Sequence, residues 1–156
     1  MQTELITDIY KPNGAWKVEQ NGTYAVDDDN KRVYIEYAHP DSVDCLMSEV
    51  IQYINLAQNR KLTTKTASEV YATIHSGIAH IHPFWDGNGR LARLLANLPV
   101  LHAGLPPIMI DQKTEKNISN CCQTIKEQLV SWTKNWCLAR KEQLQSFAEF
   151  CKNPIV

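Results

Sequence analysis

Two runs of apolar residues at helical period follow one another along this chain, parted by a single short break. Ala67, Val70, Tyr71, Ile74, Ile78 and Ile81 recur at intervals of three and four, and so do Leu91, Leu94, Leu95 and Leu98. This spacing gives each helix one apolar face to bury. The break between them, His82-Pro83-Phe84-Trp85-Asp86-Gly87-Asn88-Gly89, must therefore be a turn joining two buried helices. Pro83 disfavours helical backbone at the residue before it, which makes His82 the last helical or first loop residue. The second helix is expected to start at Asn88 or Gly89, with Leu91, Leu94, Leu95 and Leu98 in the core. Pro99 is expected to kink it or end it early, and Gly104 with Pro106-Pro107 is a firm stop.

The flanking sequence fills in a mainly α fold, a helical bundle with one β-hairpin. Residues 1 to 21 show little periodicity and form an N-terminal arm. Over residues 22 to 38, Tyr24 and Val26 alternate before the polar stretch Asp27 to Asn30, and Val33, Ile35 and Tyr37 alternate after it, the pattern of a hairpin. Residues 39 to 156 form the helical part of a single domain. In it Pro40, with Asp41 or Ser42 as cap, starts a helix carrying Val43, Leu46, Met47, Val50, Ile54 and Ala57. A further helical pattern runs from Ile118 to Phe150.

A formal net charge of −1 speaks against a general polyanion-binding surface, so no nucleic-acid partner is expected and any phosphate recognition must be local. Five cysteines, with Cys121 and Cys122 adjacent and no Cys-x-x-Cys, suit reduced thiols and a cytoplasmic location. The first residues lack a basic region followed by an apolar core, and no apolar run approaches the roughly 18–20 residues of a membrane span. No membrane partner is expected.

The break itself concentrates chemistry. The first turn of a helix has unpaired N–H groups and the positive end of the dipole, so it holds anions. Gly87 and Gly89 allow close backbone approach to a ligand, and the Asn88 amide can donate to an oxygen. Arg90 and Arg93, three apart, can fork onto successive phosphates. Asp86 is a hard oxygen ligand of the kind that shares Mg²⁺ with substrate phosphates. His82, on the opposite rim, has the ordinary imidazole pKa of about 6.5 that suits a general base. Of Phe84 and Trp85, one ring is expected to pin the loop to the core and the other to cover it. Each feature alone is common in structural turns; their coincidence in "HPFWDGNGRLAR" indicates a hydroxyl attacking a nucleotide phosphate.

That segment resembles the motif of the Fic family, His-Pro-Phe-x-Asp/Glu-Gly-Asn-Gly-x-x-x-Arg, at every defined position. The resemblance covers roughly residues 14 to 112, including the helix before the motif with His75 and Ile81, and the hairpin, similar to the family's target-docking flap. It implies a Fic-type bundle and a protein adenylyltransferase, moving AMP from ATP to a Tyr, Thr or Ser hydroxyl of a target protein and releasing pyrophosphate. By that resemblance His82 is the base and Asp86 holds Mg²⁺. Gly87, Asn88 and Gly89 contact the α- and β-phosphates, Arg90 and Arg93 bind the β- and γ-phosphates, and Pro83 and Phe84 anchor the loop.

Two family features are missing. The inhibitory pattern Ser/Thr-x-x-x-Glu-Gly/Asn does not occur; "SFAEF" from Ser146 places Glu149 at the wrong spacing. Control would then come from an antitoxin-like partner chain, from a helix upstream of the present sequence, or be absent. After Ile110 the family's Arg and Tyr near the adenine give way to "DQKTEKNISNCC", with Lys113, which leaves the base pocket and the choice of nucleotide open. The alternatives are a Fic-fold enzyme transferring another phosphate-containing group and a nucleotide-binding module without transferase activity. A transition-metal site at His75, His80 and His82 is disfavoured, because His80 and His82 would point to different sides of a helix.

Overall fold

Why the chain turns where it does is visible at each helix end of the computed structural model, which describes residues 14 to 26 and 30 to 110. The helical pattern from Ile118 to Phe150, Lys113 and its neighbours, and the first thirteen residues of the arm lie outside the described residues. The hairpin pairs β1 (Gly22–Val26) with β2 (Arg32–Glu36), antiparallel, with Gly22 opposite Glu36 and Val26 opposite Arg32. Then come α1 (Pro40–Gln58), α2 (Thr64–Ile81) and α3 (Asn88–His102). No helix among the described residues is long and apolar enough to cross a membrane.

α2 packs against both α1 and α3, which also pack against each other. It buries Ala67, Val70, Tyr71, Ile74, Ile78 and Ile81, the expected stripe in full. Each such aliphatic side chain contributes about 1.5–3 kcal/mol by leaving water. A capping box at Thr63 and Thr66 opens this helix. α1 buries Val43, Met47, Val50, Ile54 and Ala57, while Leu46 is only partly covered. Its cap is His39, whose Nδ1 accepts from the Asp41 N–H (3.3 Å), and neither Asp41 nor Ser42. Pro40 occupies the first helical position, so the extended residue before it is the one placed to cap.

α3 departs further from expectation. Its buried face is Asn88, Ala92, Ala96, Pro99 and Val100. Leu94 is 64 % exposed and Leu98 37 % exposed, with Leu91 and Leu95 half-buried. Two stripes of helical period coexist on this helix. The one with small side chains is the one buried, where alanines permit close approach of the neighbouring helices. Pro99 neither ends the helix nor shortens it before His102. The stop comes at Gly104 (φ +72°), where the N–H of Leu105 bonds Val100 and that of Gly104 bonds Leu101, a Schellman arrangement. The side chain of Asn97 then ties the returning chain down, bonding both the N–H (2.8 Å) and the carbonyl (3.1 Å) of Ile108.

Candidate active site

A cleft of about 270 Å³ opens where α2 ends and α3 begins, lined by His82, Asp86, Gly87, Asn88, Gly89, Arg90 and Arg93. These are the residues that the sequence marked for base, metal and phosphate duties, and the fold brings all of them to one cavity. The other two, Pro83 and Phe84, shape its rim: Pro83 is fully buried and Phe84 half-buried.

His82 caps α2 in the left-handed conformation (φ 50°, ψ 59°), with its N–H still bonded to the Ile78 carbonyl. Such backbone is uncommon for a residue with a Cβ and costs about 1–3 kcal/mol. It turns the chain out of the helix while keeping the imidazole at the cleft. Nδ1 lies 3.4 Å from the Ala79 carbonyl, an acceptor, so the tautomer that suits this contact carries its proton on Nδ1 and its lone pair on Nε2.

Gly87 caps α3 with φ +82° and no side-chain bond to the first turn. A Cβ there would meet the Arg90 guanidinium at 3.4 Å. The first-turn amides thus face the cleft uncovered by any side-chain cap, the arrangement that attracts anions. Arg90 is exposed and reaches back to the Asp86 carboxylate (3.4 Å), while Arg93 is half-buried. Exposed pairs of this kind are worth little and exchange readily. Asp86 is a single hard oxygen donor, and among the described residues no group of three or more His, Cys, Asp or Glu stands ready to cage a metal. That donor set fits Mg²⁺, which takes one or two carboxylates and fills its shell with phosphate oxygens and water.

Asn88 has a different duty from the one expected of its side chain. It is 2 % exposed, its Oδ1 accepts from the Phe84 N–H (2.9 Å) and its Nδ2 donates to the Phe84 carbonyl (2.7 Å). The amide is therefore a brace across the loop. Asn88 still lines the cleft, and one of the two Nδ2 N–H bonds is taken by Phe84.

Behind the cleft, burial lowers the pKa of His75 to about 4, and the Arg93 guanidinium acts in the same direction. Its ring lies against Tyr71, centroids 5.7 Å apart. The unfolded chain binds a proton there near the ordinary value of 6.5, whereas the folded chain resists to about 4. Stability is therefore whole above pH 6.5 and falls as pH drops towards 4, by about 3 kcal/mol for this one group. Urea unfolding at pH 7.5, 5.5 and 4.5 checks the slope, and His75→Phe should flatten it; equal slopes in both proteins would reject the assignment.

Three residues that the sequence did not single out also touch the motif. Trp16 and Lys17 of the arm meet its loop, with Trp16 against the Phe84 ring at 5.1 Å. Phe84 is thus pinned by the arm, and Trp85 is left 37 % exposed. Tyr37, just past β2, stacks on the His82 imidazole. An isolated lysine and tryptophan in an aperiodic arm give no local signal; Tyr37 was visible only as the end of an alternating strand.

Comparison with known proteins matches this geometry to a family. The chain is 32 % identical over 83 residues to a protein adenylyltransferase of Caenorhabditis elegans, covering 53 % of this chain and 16 % of that protein. With one from Aedes aegypti it shares 41 % identity over 56 residues, 36 % of this chain and 11 % of the other. It thus spans about a sixth or less of the length of these relatives. A crystal structure of a Fic-domain-containing signalling protein from Bacteroides thetaiotaomicron superposes with TM-score 0.74 at 25 % identity, covering 93 % of this chain and 52 % of that one. The N-terminal Fic domain of a Bartonella effector shares the fold at TM-score 0.54 and 16 % identity, covering 85 % and 62 %. The sequence profile of the Fic/DOC family matches residues 1–100, through the whole of the cleft, and the chain belongs to that family.

Proposed function

We propose that the cleft binds ATP and passes its adenylyl group to a Tyr, Thr or Ser hydroxyl of a target protein, releasing pyrophosphate. The observation that carries this reading is the single cavity in which His82 shares the walls with a glycine-capped helix start and both motif arginines. The name protein adenylyltransferase borne by the relatives supports the same chemistry.

In this reading the amides of Gly87, Asn88 and Gly89 hold the α- and β-phosphates, and Arg90 and Arg93 hold the β- and γ-phosphates. Arg90 does so by exchanging its exposed contact with Asp86 for substrate, which releases that carboxylate for Mg²⁺. The cation, when bound, neutralises phosphate charge. The target hydroxyl oxygen attacks the α-phosphorus, the bond from that phosphorus to the bridging oxygen breaks, and pyrophosphate departs. The hydroxyl proton passes to Nε2 of His82. Fixed donors aimed at developing charge inside a cleft are the strongest contribution a protein makes to such a transfer. The target would dock along β2, where Val33 is 38 % exposed and only β1 lies alongside among the described residues. A reducing cytosol suits the five cysteines.

Incubation with α-labelled ATP, Mg²⁺ and cell lysate tests the reading. Label should enter proteins, and mass spectrometry should find an added adenylyl group on a hydroxyl side chain. A different added mass would assign another phosphate-containing group to the same cleft. Nucleotide binding without any transfer would reduce the chain to a binding module.

A further inference from the structure

His82 has two neighbours from outside the motif, one against its ring and one on the backbone at either side of it. The Tyr37 ring lies parallel to the imidazole, centroids 3.8 Å apart and planes within 1°. Lys17 is buried, and it grips the backbone on both sides of His82. Its N–H donates to the Pro83 carbonyl (2.8 Å) and its Nζ to the Ile81 carbonyl (3.1 Å). The same ammonium bonds Oδ1 of Asn21 (2.6 Å) and lies 5.9 Å from the centre of the Tyr37 ring. Tyr37 in turn is fastened to the arm through its own backbone, its N–H to Asn21 (3.0 Å) and its carbonyl to Gln20 Nε2 (2.7 Å).

We infer that Tyr37 and Lys17 are positioning residues for His82, with Lys17 fixing its left-handed backbone and Tyr37 fixing the plane of its ring. The inference rests on the adenylyl-transfer reading for its kinetic consequence, but the geometry stands by itself. A left-handed residue with a Cβ persists only where its surroundings over-determine it. Here both flanking carbonyls are bonded by one lysine. The contact from Nδ1 to Ala79 is long, so it constrains the plane of the ring weakly. A parallel aromatic face fixes that plane and so sets the direction in which Nε2 points. The face of a phenol also favours the imidazolium that forms as the proton arrives. Because Tyr37 follows β2 directly, the strand proposed to dock the target is continuous with the residue that orients the base.

Three variants test this. Tyr37→Phe keeps an aromatic face, Tyr37→Leu keeps bulk without one, and Lys17→Met removes the ammonium donor. The first readout needs no activity: the His82 ring protons should resonate upfield in the parent and in Tyr37→Phe and move downfield in Tyr37→Leu. The second is labelling of lysate proteins with α-labelled ATP. Tyr37→Leu and Lys17→Met should lower the maximum rate about tenfold to a hundredfold, as misplaced reacting groups do, with the ATP concentration at half-maximal rate unchanged. Tyr37→Phe should retain the parent rate. Unmoved His82 resonances in Tyr37→Leu would overturn the stacking, and a parent-like rate in Tyr37→Leu would overturn the positioning role. A parent protein that shows the upfield resonances but transfers nothing would instead count against adenylyl transfer alone.

Discussion

Replacing His82 by alanine is expected to lower adenylyl transfer by about 10²–10⁴-fold, the usual worth of a positioned general base, while ATP still binds. The asymmetry follows from how the cleft is divided. The groups proposed to bind phosphate, Gly87 to Arg93, all belong to α3 and its cap, whereas His82 stands at the end of α2 with Nδ1 turned to Ala79. Losing the imidazole therefore removes the proton acceptor and leaves the anion site intact. Arg93→Ala should behave in the opposite way, raising the ATP concentration needed for half-maximal rate. Transfer to lysate proteins, measured beside equilibrium binding of ATP, separates the two. Undiminished transfer by the His82→Ala protein would sink the assignment of the base.

How much of this was open to view in the sequence differs by element, for physical reasons. α2 was readable because all six of its striped residues are buried and the helix has one unambiguous apolar face. The cleft was readable because its residues lie within one twelve-residue segment, so local spacing nearly determines their geometry. α3 was misread. Its leucines make the more hydrophobic stripe, but Asn88, Ala92, Ala96 and Val100 make the one that faces inward. Hydrophobicity alone cannot choose between two stripes on one helix; the tether from Asn88 to Phe84, which holds the first residue of the inward stripe to the loop, is a tertiary contact that no local pattern carries. The cap of α1 was missed for a smaller reason, since histidine is not a usual capping residue and only the extended backbone before Pro40 places it there. Lys17 and Tyr37 depend on contacts across 64 and 45 residues of chain, to Ile81 and His82, and no periodicity carries such information.

That tether makes the second large expectation. Asn88→Ala should destabilise the protein by about 2–5 kcal/mol, because two part-buried backbone groups of Phe84 lose their partners and a small void opens beside them. The loss should fall more heavily on catalysis than on folding. The amide of Asn88 ties the loop carrying His82 and Asp86 to the start of α3. With it gone the base and the phosphate cradle can drift apart, and a displacement of about 1 Å between reacting groups costs about a hundredfold in rate. Asn88→Asp sharpens the comparison. It preserves the acceptor for the Phe84 N–H but turns a carboxylate oxygen towards the Phe84 carbonyl and adds negative charge to a site built for phosphate. It should therefore fold no better than the alanine variant and bind ATP less well. Arg90→Ala supplies the contrast, since its pair with Asp86 is exposed and should cost little in stability. Urea unfolding of the three variants, alongside their transfer rates, makes the measurement. If Asn88→Ala unfolded at the same urea concentration as the parent, the bracing role of the amide would be rejected.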